Sequence, residues 1–101
     1  MTDPHITVAV EKDVEDLIPT YMKNRAQEAE TLRNALSGGD YEQISLVGHR
    51  MVGVGTPYGF DKVSALGKQI EADAKAGDHA ALVKSIADYA DYLARVRIVY
   101  K

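Results

Sequence analysis

Proline and glycine interrupt this chain at four places, and the pieces left between the interruptions have the length and periodicity of helices. The breaks are Pro19, Ser37-Gly38-Gly39, Thr56-Pro57-Tyr58-Gly59 and Gly77-Asp78. Proline removes an amide donor and disfavours helical geometry in the residue before it. Glycine takes the left-handed conformation that closes a helix. Between the breaks, apolar residues recur every three or four positions. The series are Met22, Ala29, Leu32 and Leu36 with Arg25 among them; Ile44, Val47, Met51 and Val54; Val63, Leu66, Ile70 and Ala74; and Leu82, Ile86, Tyr89, Leu93 and Val96. Each spacing lays its residues along one stripe of a helix.

Start signals agree with these stripes. Asp40 is placed as an N-cap with Gln43 three residues on, Asp78 caps the last segment, and Pro19 suits the first turn of the helix that follows it. Glu11 to Ile18 reads as a short acidic helix. Four stripes joined by short connections are buried most simply in an antiparallel bundle. The expectation is an all-α protein, an antiparallel four-helix bundle with a short N-terminal helix, forming a single domain over residues 1–101. Two β-branched runs stand outside this scheme, HITVAV at 5–10 and VRIVY at 96–100. They either pair as a small ribbon joining the two termini, or residues 95–98 continue the last helix.

A chain of 101 residues supports one core. There is no cysteine, which removes disulfides and thiolate metal sites. The net charge of −3 comes from interspersed acids and bases, leaving no basic stripe for a nucleic-acid backbone. No basic leader with a long apolar run begins the chain, and no apolar stretch is long enough to span a bilayer. The expectation is a cytoplasmic protein, monomeric because no second apolar stripe remains to be covered, with no membrane or nucleic-acid partner. The histidines, His5, His49 and His79, share no ligand spacing, so no metal site is expected.

His49 stands apart from the others. At about 100° per residue it lies roughly 180° from the stripe of its own helix, on a face shared with Ser45, Gly53 and Thr56. Glycine costs about 1 kcal/mol relative to alanine inside a helix, yet Gly48, Gly53 and Gly55 fall within eight residues of one another. Gly48 and Gly55, nearer the buried side, read as sites of close helix packing. Gly53, on the histidine's face, leaves room for a partner or a bulky group beside the ring. Gly67 in the third segment likewise allows close approach of a neighbour.

The ordered set His49, Met51, Gly53, Gly55, Gly59-Phe60, Val63, Leu66-Gly67 and Ile70-Glu71 resembles the phosphoacceptor signature of histidine-containing phosphotransfer domains. The likeness continues without gaps through Gly77-Asp78. The flanking segments EDLIPTYMKNRAQEAETLRNAL and DYADYLARVRIVY also resemble free-standing bacterial members, so most of the chain is covered. The resemblance implies that His49 accepts a phosphoryl group through Nε2. It also implies that Glu71 takes the proton-bearing Nδ1 as its partner; the residues alone leave Glu71 as an ordinary solvated carboxylate. The partners implied are a receiver domain of a response regulator, a histidine kinase, or both. The chain has no cofactor of its own, and Mg²⁺ belongs to the receiver.

The chemistry fits an imidazole, whose reference pKa of about 6.5 leaves it largely neutral and nucleophilic at pH 7. The free nitrogen attacks only when the other holds the proton. One departure from the family pattern is clear. Three residues after the histidine the family usually carries lysine or arginine, and this chain has Val52. Lys68, three residues before Glu71 on one helix face, is the leading substitute for that cation. Arg50, about 100° around the helix from His49, is the second. Arg50, Val52, Gly53 and Thr56 form the expected partner-facing surface. Two other readings stay open: an adaptor that binds receivers or kinases without transfer, Val52 marking the lost chemistry, and a helical structural domain in which His49 is incidental.

Overall fold

Asp40 and Asp78 each start a helix by accepting a backbone amide, from Gln43 N at 3.1 Å and from Ala81 N at 3.0 Å. The computed structural model describes residues 5–101. It comprises strand β1 (Ile6–Val10), a 3-10 turn (Lys12–Leu17), helices α1 (Ile18–Ser37) and α2 (Tyr41–Gly55), a second 3-10 turn (Thr56–Tyr58), helices α3 (Asp61–Lys75) and α4 (His79–Arg95), and strand β2 (Val96–Tyr100). The breaks fall where proline and glycine stand. Pro19 occupies the first turn of α1, and Gly39, Gly59 and Gly77 take φ of +68°, +91° and +65° after α1, the second 3-10 turn and α3. The acidic segment before Pro19 is helical, with the tighter 3-10 pitch.

Four helices pack around one core. α1 lies against α2 and α4, and α3 lies against the same two. The innermost side chains include Leu32, Ile44, Met51, Val63, Ile70, Leu82 and Tyr89. α3 buries the whole stripe that its spacing defines, whereas α1 buries Tyr21 and Ala35 with Met22 and Leu36 half-buried, and α4 buries Tyr92 with Leu93 half-buried. Burial of such side chains contributes about 1.5–3 kcal/mol each before conformational entropy is counted. Among the described residues no helix is long and apolar enough to cross a membrane.

In α2 the buried side is Ile44, Val47, Gly48, Met51 and Gly55, while Val54 is only half-buried. Glycine contributes bare backbone to that side. A Cβ on Gly48 would sit 2.8 Å from both Glu71 N and Gly67 O, and one on Gly67 would sit 2.7 Å from Gly48 O. A Cβ on Gly55 would collide with Ser64. The centre of the buried side is thus shifted from Val54 toward Gly48, which moves His49 from the back of α2 to its flank beside α3.

The two terminal runs do pair. β1 and β2 form a parallel two-stranded ribbon in the register Ile6↔Val96 through Val10↔Tyr100. α4 ends at Arg95, and Val96 turns extended at φ −68°, ψ 136°. Parallel strands need a long crossover; here the whole four-helix body supplies it. Val10 and Val96 enter the core, and Ile6, Val8 and Ile98 pack against it.

A polar cluster ties α1 to its neighbours. Tyr89 OH donates to Glu28 Oε1 at 2.8 Å, Arg25 Nε lies 3.1 Å from the same oxygen, and the Arg25 guanidinium stands 4.7 Å over the Tyr21 ring. Tyr21 OH donates to Val54 O at 2.6 Å and its ring stacks on Phe60 at 5.0 Å. Burial pushes the Tyr21 and Tyr89 hydroxyls above the ordinary phenol range, with Glu28 adding to the shift at Tyr89. Burial also pushes Tyr92 up to about 12.

Candidate functional site

His49 Nδ1 lies 3.2 Å from Glu71 Oε2, and the imidazole is 74% exposed. The glycine contact explains the pairing. Gly48 and Gly67 bring the α2 and α3 backbones together, His49 follows Gly48, and Glu71 stands one turn beyond Gly67 on α3. The Glu71 side chain is only 20% exposed, so its carboxylate rests at the helix interface while the ring it meets stands in water.

A second group shares that carboxylate. Lys75 Nζ is also 3.2 Å from Glu71 Oε2, across one turn of α3. Lys75, with a smaller contribution from His49, holds the Glu71 carboxyl below the usual carboxylate range, against the partial burial that raises it. Oε2 thus stays ionised and faces two nitrogens. Beside the ring opens a groove of about 420 Å³, lined by Tyr41, Ser45, Leu46, Glu71, Ala74 and Lys75 among others. The OH of Tyr41, one of the lining residues, lies 2.9 Å from His79 Nδ1.

The remaining residues of the expected surface divide into three groups. Gly53 is open, since a Cβ there would meet nothing within 4 Å. Val52 is exposed at 38% and Leu46, a turn before His49, at 54%, so apolar side chains lie on either side of the histidine along α2. Thr56 is exposed, but its amide donates to Ser64 Oγ at 2.8 Å, and Ser64 Oγ donates to Val52 O at 2.9 Å. Ser64 thereby satisfies a carbonyl in the last turn of α2, where no helical donor follows.

Among the described residues, neither candidate cation forms an ion pair with the carboxylate. Lys68 is exposed on α3 and makes no ion pair among the described residues; the lysine in contact with Glu71 is Lys75. Arg50 lies on the opposite flank of α2, lining a groove toward α1 with Arg25, Gln43 and Val47. Lys75 was detectable as a glutamate-to-lysine i,i+4 pair, a spacing that joins side chains on one helix face. Ser64 and Tyr41 carry no comparable signal in sequence, because each acts across a gap between elements.

The surface geometry suits a group that donates or accepts at Nε2 while Nδ1 is engaged, with no enclosed chamber around it. Among the described residues no group of three or more His, Cys, Asp or Glu side chains is placed to hold a metal ion. Comparison with family models, with curated proteins and with solved structures gives no match to this chain.

Proposed function

We propose that this chain is a histidine phosphotransfer protein of a two-component phosphorelay, with His49 as the phosphoacceptor. In this reading Nε2 attacks the phosphorus of a receiver-domain aspartyl phosphate or of a kinase phosphohistidine. The P–N bond forms as the bond to the donor breaks, and the donor carboxylate or imidazole leaves. Transfer onward to a receiver aspartate runs the same exchange in reverse. The receiver carries Mg²⁺ and most of the electrostatic stabilisation of the transferring group, so the chain acts as a carrier and needs no cofactor of its own. Its four helices are taken as an antiparallel bundle, in keeping with their short, glycine-closed connections.

One observation carries the proposal: an imidazole 74% exposed whose Nδ1 lies 3.2 Å from an ionised, interface-held carboxylate. An acceptor at Nδ1 favours the tautomer with its proton there, and so leaves the Nε2 lone pair free toward solvent. The open space at Gly53 supports the same reading, because a partner can approach the ring from that side without meeting a side chain. Lys68, exposed and without an ion pair among the described residues, is the cation this reading offers to the phosphoryl oxygens where the chain has Val52.

The adaptor reading has one observation in its favour. Val52 and Leu46 present apolar surface beside His49, where a partner gains area without any transfer. Incubation with a phosphorylated receiver or a histidine kinase separates the two. The carrier takes up acid-labile, base-stable phosphate that His49→Gln abolishes. Stable binding of the receiver with no label on His49 overturns the carrier reading and leaves the adaptor.

A further inference from the structure

We infer that Lys75 is a positioning residue for His49, acting through Glu71. The inference rests on the reading of His49 as phosphoacceptor and deepens it: it names the group that sets which ring nitrogen is free. Nζ of Lys75 and Nδ1 of His49 lie at the same distance, 3.2 Å, from the same oxygen, Glu71 Oε2. A glutamate with three rotatable bonds has many places to put its carboxylate, and an ammonium one turn along the helix restricts them. Lys75 also sits in the last turn of α3, where the helix dipole favours a cation, so the lysine is itself held in place.

With Lys75 present, Oε2 faces Nδ1 as a charged acceptor, and the proton is retained on Nδ1. Without it, the carboxylate swings into the adjoining groove, whose other charged and titratable groups are Glu42 and Tyr41 of α2. Neither replaces the ammonium: Glu42 is an anion, and the Tyr41 hydroxyl is engaged by His79. Lys75 does not need to touch the phosphoryl group for this effect. It acts at the far nitrogen of the ring.

The test uses ¹⁵N-labelled protein at a pH where imidazole is neutral. Ring-nitrogen shifts report the Nδ1–H fraction of His49 in the wild type, Lys75→Ala and Lys75→Arg, and the rate of phosphate uptake from a phosphorylated receiver is measured beside them. Lys75 is largely exposed, so both variants keep the fold, which amide spectra verify. The expected result is a fall in the Nδ1–H fraction in Lys75→Ala, uptake slowed by about tenfold, the lower end of effects seen when a ligand-orienting partner is removed, and recovery of both in Lys75→Arg. An unchanged tautomer in Lys75→Ala overturns the inference. If uptake nevertheless slows, Lys75 contacts the phosphoryl group directly. A wild type that takes no label while the tautomer still shifts overturns the phosphoacceptor reading and leaves the positioning role standing.

Discussion

Gly48 and Gly67 meet backbone to backbone, with no room for a methyl group on either side of the contact. Two helices that touch in this way hold their flanking residues at fixed offsets. The His49–Glu71 distance therefore depends on two residues that have no side chains.

Gly48→Ala is expected to destabilise the protein by about 1–3 kcal/mol, the usual penalty of overpacking, because the groups its Cβ meets are backbone atoms of α3. Gly53→Ala, with nothing within 4 Å, is expected to be neutral or to stabilise by up to about 1 kcal/mol. Urea unfolding of both variants measures the difference. If Gly53→Ala leaves stability intact yet slows phosphate uptake, the open space there serves the partner.

In the phosphoacceptor reading, Val52→Lys is expected to accelerate phosphate uptake, since it places a cation one turn from the ring. The size of the gain reports whether another cation already acts. A rate that rises in Val52→Lys and falls in Lys68→Ala assigns that part to Lys68. A rate unmoved by either substitution removes both positions from the chemistry.

Alkaline titration should unfold the protein. Tyr21, Tyr89 and Tyr92 have folded pKa values raised above the ordinary 10.0. Groups of this kind contribute stability that is fully present below pH 10 and is lost as pH rises beyond it. Far-ultraviolet circular dichroism and phenolate absorbance followed together should show these tyrosines ionising only as the helices melt. A Tyr89→Phe variant should shift the melt and cost about 1–2 kcal/mol at neutral pH, having removed the donor to Glu28.

Glu71 has the opposite sign. Its folded pKa is lowered from 4.5, so its contribution is present above that value and is lost as pH falls through the folded pKa. In Glu71→Gln that acid-side component should vanish from the pH dependence of stability. The His49 tautomer should shift in the same variant, because an amide is a weaker acceptor than a carboxylate.

What could be read in the sequence is what neighbouring residues decide among themselves. Asp40 and Asp78 cap because an aspartate reaches an amide three residues on, and Pro19 and Gly77 bound helices through their own backbones. Gly48, Gly55 and Gly67 could be recognised as contact points because a helix tolerates so few glycines without a reason. The rotation of α2 was less accessible: buried glycine counts for nothing in an apolar stripe, so Val54 stood in for the surface that Gly48 and Gly55 supply. The long-range polar bonds were not legible at all. Tyr89 meets Glu28 across 61 positions and Tyr21 meets Val54 O across 33, and nothing local selects those partners. The His49–Glu71 pair came from the resemblance to a family signature; the residues alone left Glu71 in solvent.

The parallel sense of the terminal ribbon has a mechanical consequence. Ile6 begins one strand beside Val96, while Tyr100 ends the other beside Val10. Tension applied through the two ends would drag the strands past each other along their length, loading all the cross-links at once. An antiparallel hairpin pulled from adjacent ends would peel open one bond at a time. The helical body is therefore enclosed by a clasp that resists stretching in shear, and force spectroscopy on the tethered chain should register its release as a single abrupt event before the helices give way.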